Sequence, residues 1–180
     1  MSSGLKHSTA LVVVIPSEFQ ERLNYWRSQY DRAFPRWMPH LTLYYPFVPE
    51  CDFPEIAERI QAQLRGFGSF EVNLNKVSYF RQKNRSTIHL RLEDDTKLQD
   101  LFNNRLRNAI PEIPLAHPSF TPHMTLAQTD WKNNQQMIQS LEEYFNNQEM
   151  RMTISEIQII SRSETDPSIP FTVRHTISLL

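Results

Sequence analysis

Short apolar runs closed by proline or a polar turn alternate along this chain with stretches whose apolar positions recur every three or four residues. Thr9 to Ile15 is a valine-rich run stopped by Pro16, the pattern of a buried strand. Ser17 fits an N-cap, and Phe19, Leu23, Trp26 and Tyr30 then fall at helical spacing, predicting a helix from Ser17 to Ala33 ended by Pro35. Leu41 to Tyr45 reads as a strand, and Pro46, Pro49 and Pro54 bracket a loop before a helix over Ile56 to Phe67. Phe70 to Phe80 and Ser86 to Leu92 read as strands joined by the basic turn Arg81-Gln82-Lys83-Asn84-Arg85. In the second of these, Ile88, Leu90 and Leu92 alternate with His89 and Arg91, so one face is buried. Thr96 to Asn108 is a helix with Leu98, Leu101, Phe102 and Leu106 on one side. Prolines 111, 114, 118 and 122 form an extended approach to a strand over Met124 to Ala127. A helix over Asn133 to Asn146 and two strands, Met150 to Ser161 and Phe171 to Leu179, close the chain.

The order of elements repeats roughly: a strand-bearing half, then a second half of the same kind. That favours one α+β domain over residues 1–180, built as two similar lobes, with residues 1–7 as a flexible tail. The length of 180 residues suits one domain with a substantial core. There is no low-complexity tract, and the chain has only three glycines, so no Gly/Ser linker divides it.

Composition narrows the function classes. Nineteen basic residues against twenty acidic ones leave a net charge of −1, which gives no general attraction to a polyanion. Any nucleic acid partner is then met locally, at an end or a single nucleotide, and not along a groove. The single cysteine, Cys51, excludes an internal disulfide and a Cys-rich zinc module. The apolar run Ala10 to Ile15 is too short for a signal h-region or a membrane span. These features suggest a cytoplasmic or nuclear monomer without membrane attachment.

The candidate chemistry lies in a repeat. Pro39-His40-Leu41-Thr42-Leu43 and Pro122-His123-Met124-Thr125-Leu126 differ only in the middle residue, and each stands at the entry to a strand. Strand alternation puts His40 with Thr42, and His123 with Thr125, on one face, while Leu41, Leu43, Met124 and Leu126 point into the core. Each imidazole lies roughly 6–7 Å along the backbone from its hydroxyl, a span a phosphate can bridge. If the lobes face one another, two imidazoles converge as base and acid, and two threonines donate to phosphoryl oxygens. A single histidine in a strand is more often structural; the shared threonine and lobe position favour chemistry here.

On these motifs the chain resembles the 2H phosphoesterase superfamily, which includes the 2′-5′ RNA ligase-like proteins and cyclic nucleotide phosphodiesterases. Its signature is a pair of His-x-Thr/Ser-x motifs, matched by His40-Leu41-Thr42-Leu43 and His123-Met124-Thr125-Leu126. The proline-preceded setting of the second copy, HPSFTPHMTLA, and the strand LNKVSYF (Leu74 to Phe80) are also similar. The resemblance spans about residues 8 to 180. It implies antiparallel sheets flanking a central cleft, helices outside, and both motifs on the cleft floor. It also implies metal-independent chemistry on a phosphodiester or cyclic phosphate, with His40 as acid and His123 as base. The expected reaction is hydrolysis of a nucleoside 2′,3′-cyclic phosphate or a related cyclic phosphate to a monoester. Cleavage of 2′-5′ or 3′-5′ linkages at RNA ends, or a binding module without turnover, are the alternatives. Two features depart from the family. Gln128 stands where several relatives carry arginine, and Tyr44-Tyr45-Pro46-Phe47 follows the first motif where many have a glycine.

Further candidates for substrate contact are Tyr44, as a base-stacking ring or a core residue, and Tyr79 or Phe80, which lead into the hairpin turn. Arg81 and Lys83, with Arg85, form the one compact basic patch, able to hold a second phosphate if it overhangs the cleft. His89 reads as exposed on the polar face of its strand, or as a residue lining the cleft. His7 in the tail and His117 in the approach loop carry no pattern. No HExxH or CxxC spacing is present, so neither a metal nor a cofactor is expected, and the absence of a Gly-rich phosphate loop argues against an ATP-dependent ligase or kinase.

Overall fold

In the computed structural model, which describes residues 4–146 and 148–180, the strands form two antiparallel four-stranded sheets. The first has the order β2-β1-β7-β8, from β1 (Thr9–Val14), β2 (His40–Tyr44), β7 (Glu156–Ser161) and β8 (Thr172–Ser178). The second has the order β5-β4-β3-β6, from β3 (Phe70–Gln82), β4 (Arg85–Leu92), β5 (Met124–Asp130) and β6 (Arg151–Ile154). The fold is α+β and two-lobed, as the pattern of elements led one to expect. The lobes are not the two halves of the chain, however. Residues 70–154 build the second lobe alone, while the first combines the N-terminal elements with β7 and β8.

That interleaving comes from one break. The run from Met150 to Ser161, read above as a single strand, divides at Ser155. β6 pairs with β3 in the second sheet, and β7 pairs with β1 in the first. The apolar alternation changes phase at that point, from Met150, Met152 and Ile154 to Ile157 and Ile159 across Ser155-Glu156, so the break has a signal in the residue pattern.

The helices pack on the outer faces. Helix α1 (Ser17–Tyr30) begins directly after Pro16 without a side-chain cap, so Ser17 is its first residue and not its N-cap. It stops at Tyr30 because Asp31 turns extended and receives the Ala33 N–H on its carboxylate at 2.9 Å. Helix α2 (Phe53–Leu64) starts earlier than expected, because Pro54 sits in its first turn, where proline lacks only a donor that would be unpaired anyway. Residues 96–109 form one helical run: α3 (Thr96–Asp100), a π-helical turn (Leu101–Leu106) and α4 (Arg107–Ala109). Helix α5 (Asn134–Phe145) lies against β3 and β5.

Most of the apolar core lies between these helices and the sheets. Helix α1 packs against β5 of the other lobe, and Phe102 of the 96–109 run packs on Tyr44 beside β2, with centroids 5.1 Å apart. Each motif strand is thus backed by a helix from the opposite lobe. A smaller apolar cluster of Ala10, Val12, Ile160 and Phe171 lies on the other face of the first sheet, with Trp37, Met38 and Tyr45 against it. Residues 1–3 of the expected tail lie outside the described residues. From Lys6 onward the chain is held to the body, since Lys6 and Phe47 exchange backbone hydrogen bonds of 2.6 and 3.2 Å.

Candidate active site

Strands β2 and β5 are both edge strands, and they face each other where the two sheets meet. In β2, Leu41 and Leu43 are buried while His40 and Thr42 remain partly open. In β5, Met124 and Leu126 are buried while His123 and Thr125 remain partly open. Each motif is therefore anchored by its apolar residues and presents imidazole and hydroxyl to the space between the lobes.

A bulge at the same point of both strands redirects the residues after each motif. Leu11 pairs with Tyr44 and Val12 with Thr42, leaving Leu43 as the extra residue. Ile88 pairs with Ala127 and His89 with Thr125, leaving Leu126 as the extra residue. A bulge reverses the alternation beyond it. Tyr44 and Ala127 consequently turn to the core, and Tyr45 and Gln128 turn to the cleft.

The two imidazoles are held in the same way. Met38 O lies 2.6 Å from Nδ1 of His40, and Thr121 O lies 2.7 Å from Nδ1 of His123. A carbonyl oxygen can only accept, so Nδ1 carries the proton in each neutral ring and Nε2 keeps a free lone pair. Trp37 stacks on His40 with centroids 4.8 Å apart. His123 is packed edge-to-face on Phe80 at 4.9 Å and against the His89 ring at 5.0 Å. Burial lowers the pKa of both site histidines, that of His40 to about 4, and each is lowered further by nearby cations. Arg27 and a protonated His123 act on His40; His117 and Arg91 act on His123. Both rings are neutral in the ligand-free protein near pH 7.

Two cavities meet at Thr42. One, of about 170 Å³, is lined by His40, Thr42, Thr125, Trp37, Tyr45 and Gln128, with the Arg27–Asp31 pair at its wall. The other, of about 240 Å³, lies between Thr42, Tyr45 and His123 and the loop that precedes the second motif. One motif histidine lines each, and Thr42 lines both.

Beneath the first cavity lies a buried ion pair that no sequence pattern pointed to. Arg27 Nε donates to Asp31 Oδ2 at 2.8 Å, with both side chains almost wholly buried. The guanidinium also donates to Trp37 O at 2.8 Å and Asn24 Oδ1 at 3.1 Å. Gln128 Nε2 donates to Asp31 Oδ1 at 3.1 Å, and its Oε1 accepts from Arg32 N at 2.7 Å. Both ends of the amide at the position where several relatives have arginine are thus used to join β5 to the end of α1. The cation next to the site comes from Arg27.

The weaker candidates fall on different faces. Tyr44 is 4% exposed and packs on Phe47 and Phe102 as a core ring that also borders the larger cavity, and Tyr45 lines both cavities. Phe80 shares the cleft face and stacks on His89 at 4.3 Å. Tyr79 pairs with Ile88 and Arg81 with Ser86, one residue out of step with His89, so both point away from the motifs. There Arg81 lies 4.0 Å over the Trp131 ring, with Tyr79 packed on the same indole. Lys83 is exposed in the hairpin turn, where its φ of 53° is left-handed, and neither it nor Arg81 or Arg85 lines either cavity. His89, read as exposed or as lining the cleft, is 0% exposed. The polar face of β4 is the cleft floor and not free surface, and Phe80 covers the ring. Nε2 of His89 is buried without a hydrogen-bond partner among the described residues.

Trp37, Phe120 and His117 also reach the two cavities and were not among the candidates. Two of them had a sequence signal. The repeat extends upstream as Pro35-x-Trp37-x-Pro39-His40 and Pro118-x-Phe120-x-Pro122-His123. Among the described residues, no three His, Cys, Asp or Glu side chains are grouped to hold a metal ion. No helix among them is long and apolar enough to cross a membrane.

The chain is similar to several known proteins. A Staphylococcus haemolyticus protein named "Putative phosphoesterase SH1944" is 33% identical over 119 residues, covering 65% of this chain and 69% of its own. The Thermus thermophilus protein TT0787 superposes with a TM-score of 0.62 at 20% identity, covering 95% of this chain and 97% of its own. E. coli LigT complexed with 3′-AMP superposes with a TM-score of 0.62 at 14% identity, covering 96% and 97%. The two structures share the fold. Residues 15–166 match the family model of the 2′-5′ RNA ligase superfamily, and with both His-x-Thr-x motifs set on facing edge strands, the chain belongs to that superfamily and is phosphoesterase-like.

Proposed function

We propose that this protein hydrolyses a nucleoside 2′,3′-cyclic phosphate, or a related cyclic phosphate, to a monoester by two-histidine acid–base catalysis without a metal ion. The observation that carries the reading is the matched pair of imidazoles. Each has Nδ1 bound to a backbone carbonyl two residues upstream, which leaves Nε2 for proton transfer. LigT, which shares the fold, has been crystallised with 3′-AMP and with ATP, in keeping with a small nucleotide substrate.

In the proposed step, one Nε2 takes a proton from water as its oxygen bonds to phosphorus. The bond from phosphorus to one ribose oxygen breaks, and the other imidazole, protonated, gives its proton to that oxygen. Atoms and charge balance with one water consumed. Both rings are neutral in the free protein, so one must gain a proton as substrate binds. A phosphodiester anion between them raises both pKa values, and binding itself supplies the bias. Thr42 and Thr125 donate to the non-bridging oxygens as charge builds on them. We assign His40 as acid and His123 as base, following the family resemblance.

The test is single-turnover hydrolysis of a 2′,3′-cyclic nucleotide in excess EDTA by the wild type and by His123→Ala, with folding checked by thermal melting. Turnover by the wild type and its loss in the variant are expected. Equal rates from two folded proteins would remove His123 from the chemistry and favour a binding module. Faster cleavage of short 2′-5′ or 3′-5′ oligomers would move the reading to RNA ends.

A further inference from the structure

The extended repeat predicts equal surroundings for the two histidines, and the structure breaks that equality at one pair of positions. Trp37 and Phe120 are equivalent in the repeat, each three residues before its histidine. Trp37 lies over His40 and is packed on Phe171 at 3.9 Å and edge-on to Tyr45 at 5.1 Å. The ring therefore narrows the space beside His40. Phe120 turns away from His123 and stacks on Phe102 at 4.0 Å with an interplanar angle of 14°. The space beside His123 stays open as the cavity of about 240 Å³.

That cavity is built. Gln99 in α3 donates to Phe120 O at 3.0 Å, fixing the ring that Phe102 backs from the core. Leu115 and Tyr45 add apolar walls, and His117 and Ser119 bring polar groups to the rim. The volume is below the roughly 300–1,000 Å³ typical of drug-sized ligands, so it suits one ring system and not a strand. A fixed aromatic face with a few hydrogen-bonding groups at its edge is the chemistry that holds a nucleobase.

We infer that the cavity beside His123 is the seat of a single nucleobase, so that the substrate binds with its base under the loop of residues 110–122 and its phosphate at Thr42. This rests on the phosphodiesterase reading and adds an orientation to it. The organic part lies on the His123 side, since Trp37 narrows the other cavity, beside His40, to about 170 Å³. The smaller cavity beside His40 is left to the reacting phosphate, which favours terminal or free cyclic nucleotides as the substrate.

The experiment compares adenosine 2′,3′-cyclic phosphate with the base-free methyl riboside 2′,3′-cyclic phosphate, in the wild type and in Leu115→Trp, which fills the cavity, with folding checked by melting. The quantity read is the ratio of kcat/KM for the two compounds. A wild-type preference for the nucleotide that falls roughly 10- to 100-fold in the variant is expected, the range for loss of one base stack. An unchanged ratio would overturn the base seat, whether both rates fall together or neither does. If the wild type hydrolyses neither compound, the phosphodiesterase reading fails, and titration with adenosine 3′-phosphate judges the seat alone. Binding weakened at least tenfold by Leu115→Trp keeps it, and equal binding rejects it. Phe120→Leu, which keeps an apolar side chain but removes the stacking face, should lower the same ratio.

Discussion

His89 lies beside His123, with ring centroids 5.0 Å apart, wholly buried, and both rings pack on Phe80. Two histidines so close cannot both carry a proton cheaply, and burial decides which one gives way. The His89 pKa is lowered to about 4, first by desolvation and then by the charge His123 would carry. His89 is thereby a neutral wall that fixes the orientation of His123.

Stability should reflect this. In the unfolded chain His89 titrates near 6.5, and in the folded protein near 4. The unfolded state binds more protons in that window, so the contribution is complete above pH 6.5 and is lost as pH falls towards 4. For His89 the loss is roughly 3 kcal/mol across the window. The His40 pKa is lowered in the same direction and adds to the effect. Thermal melts between pH 7 and 4.5 should show a falling Tm, and His89→Phe should flatten the slope. A variant with the wild-type slope would separate His89 from the pH dependence.

The pH dependence of rate has its origin in the same burial. Acid–base catalysis needs one site histidine protonated and the other neutral. Both free-protein pKa values lie below 6.5, so kcat/KM should peak below pH 6.5 and decline towards pH 8. The bound anion raises the pair, so the kcat profile should lie at higher pH than that of kcat/KM. The apparent values belong to the coupled pair. Arg91 lowers the His123 pKa by its charge, and Arg91→Ala should move the basic limb of kcat/KM upward. Superimposable profiles for kcat and kcat/KM would contradict this account.

Removal of the proposed catalytic groups should be costly and non-additive. His40→Ala or His123→Ala should each lower turnover by about 10²–10⁴. The double variant should lose less than the product of the two, because neither ring works well alone. Thr42→Ala should cost about 10²–10³ in kcat if its hydrogen bond strengthens in the transition state. A raised KM with unchanged kcat would instead make Thr42 a ground-state contact.

The Arg27–Asp31 pair should matter for stability before chemistry. Removing one partner leaves a buried charge uncompensated, a loss of about 3–5 kcal/mol. Asp31→Ala should therefore lower the denaturant midpoint strongly. Gln128→Ala removes two hydrogen bonds on a partly exposed side chain and should cost less, about 1–2 kcal/mol. Equal effects from the two substitutions would place the stabilisation in the junction between α1 and β5 and not in the buried charge.

The elements and the motifs were legible in the chain's own residue pattern. Alternation of His40, Leu41, Thr42 and Leu43 is a local property of a strand, and so is the anchoring of Met124 and Leu126, because side-chain direction follows from backbone geometry alone. The repeat also carries the equivalence of Trp37 and Phe120. The directions of the residues after the motifs were set by strand pairing instead. The bulges that turn Tyr45 and Gln128 to the cleft, and Tyr44 away from it, depend on partner strands distant in sequence. The division of residues 150–161 has a signal in the change of alternation phase across Ser155-Glu156, but which sheet each piece joins is likewise set by partner strands distant in the chain. His89 and Arg27 show the limit most clearly. A polar side chain on an alternating strand or helix reads as solvent-facing, and it becomes buried only when a second element closes over it. Phe80 does so for His89, and Asp31 with the Trp37 carbonyl does so for Arg27. Burial is a property of the assembled surfaces, and those exist only once the two lobes have met.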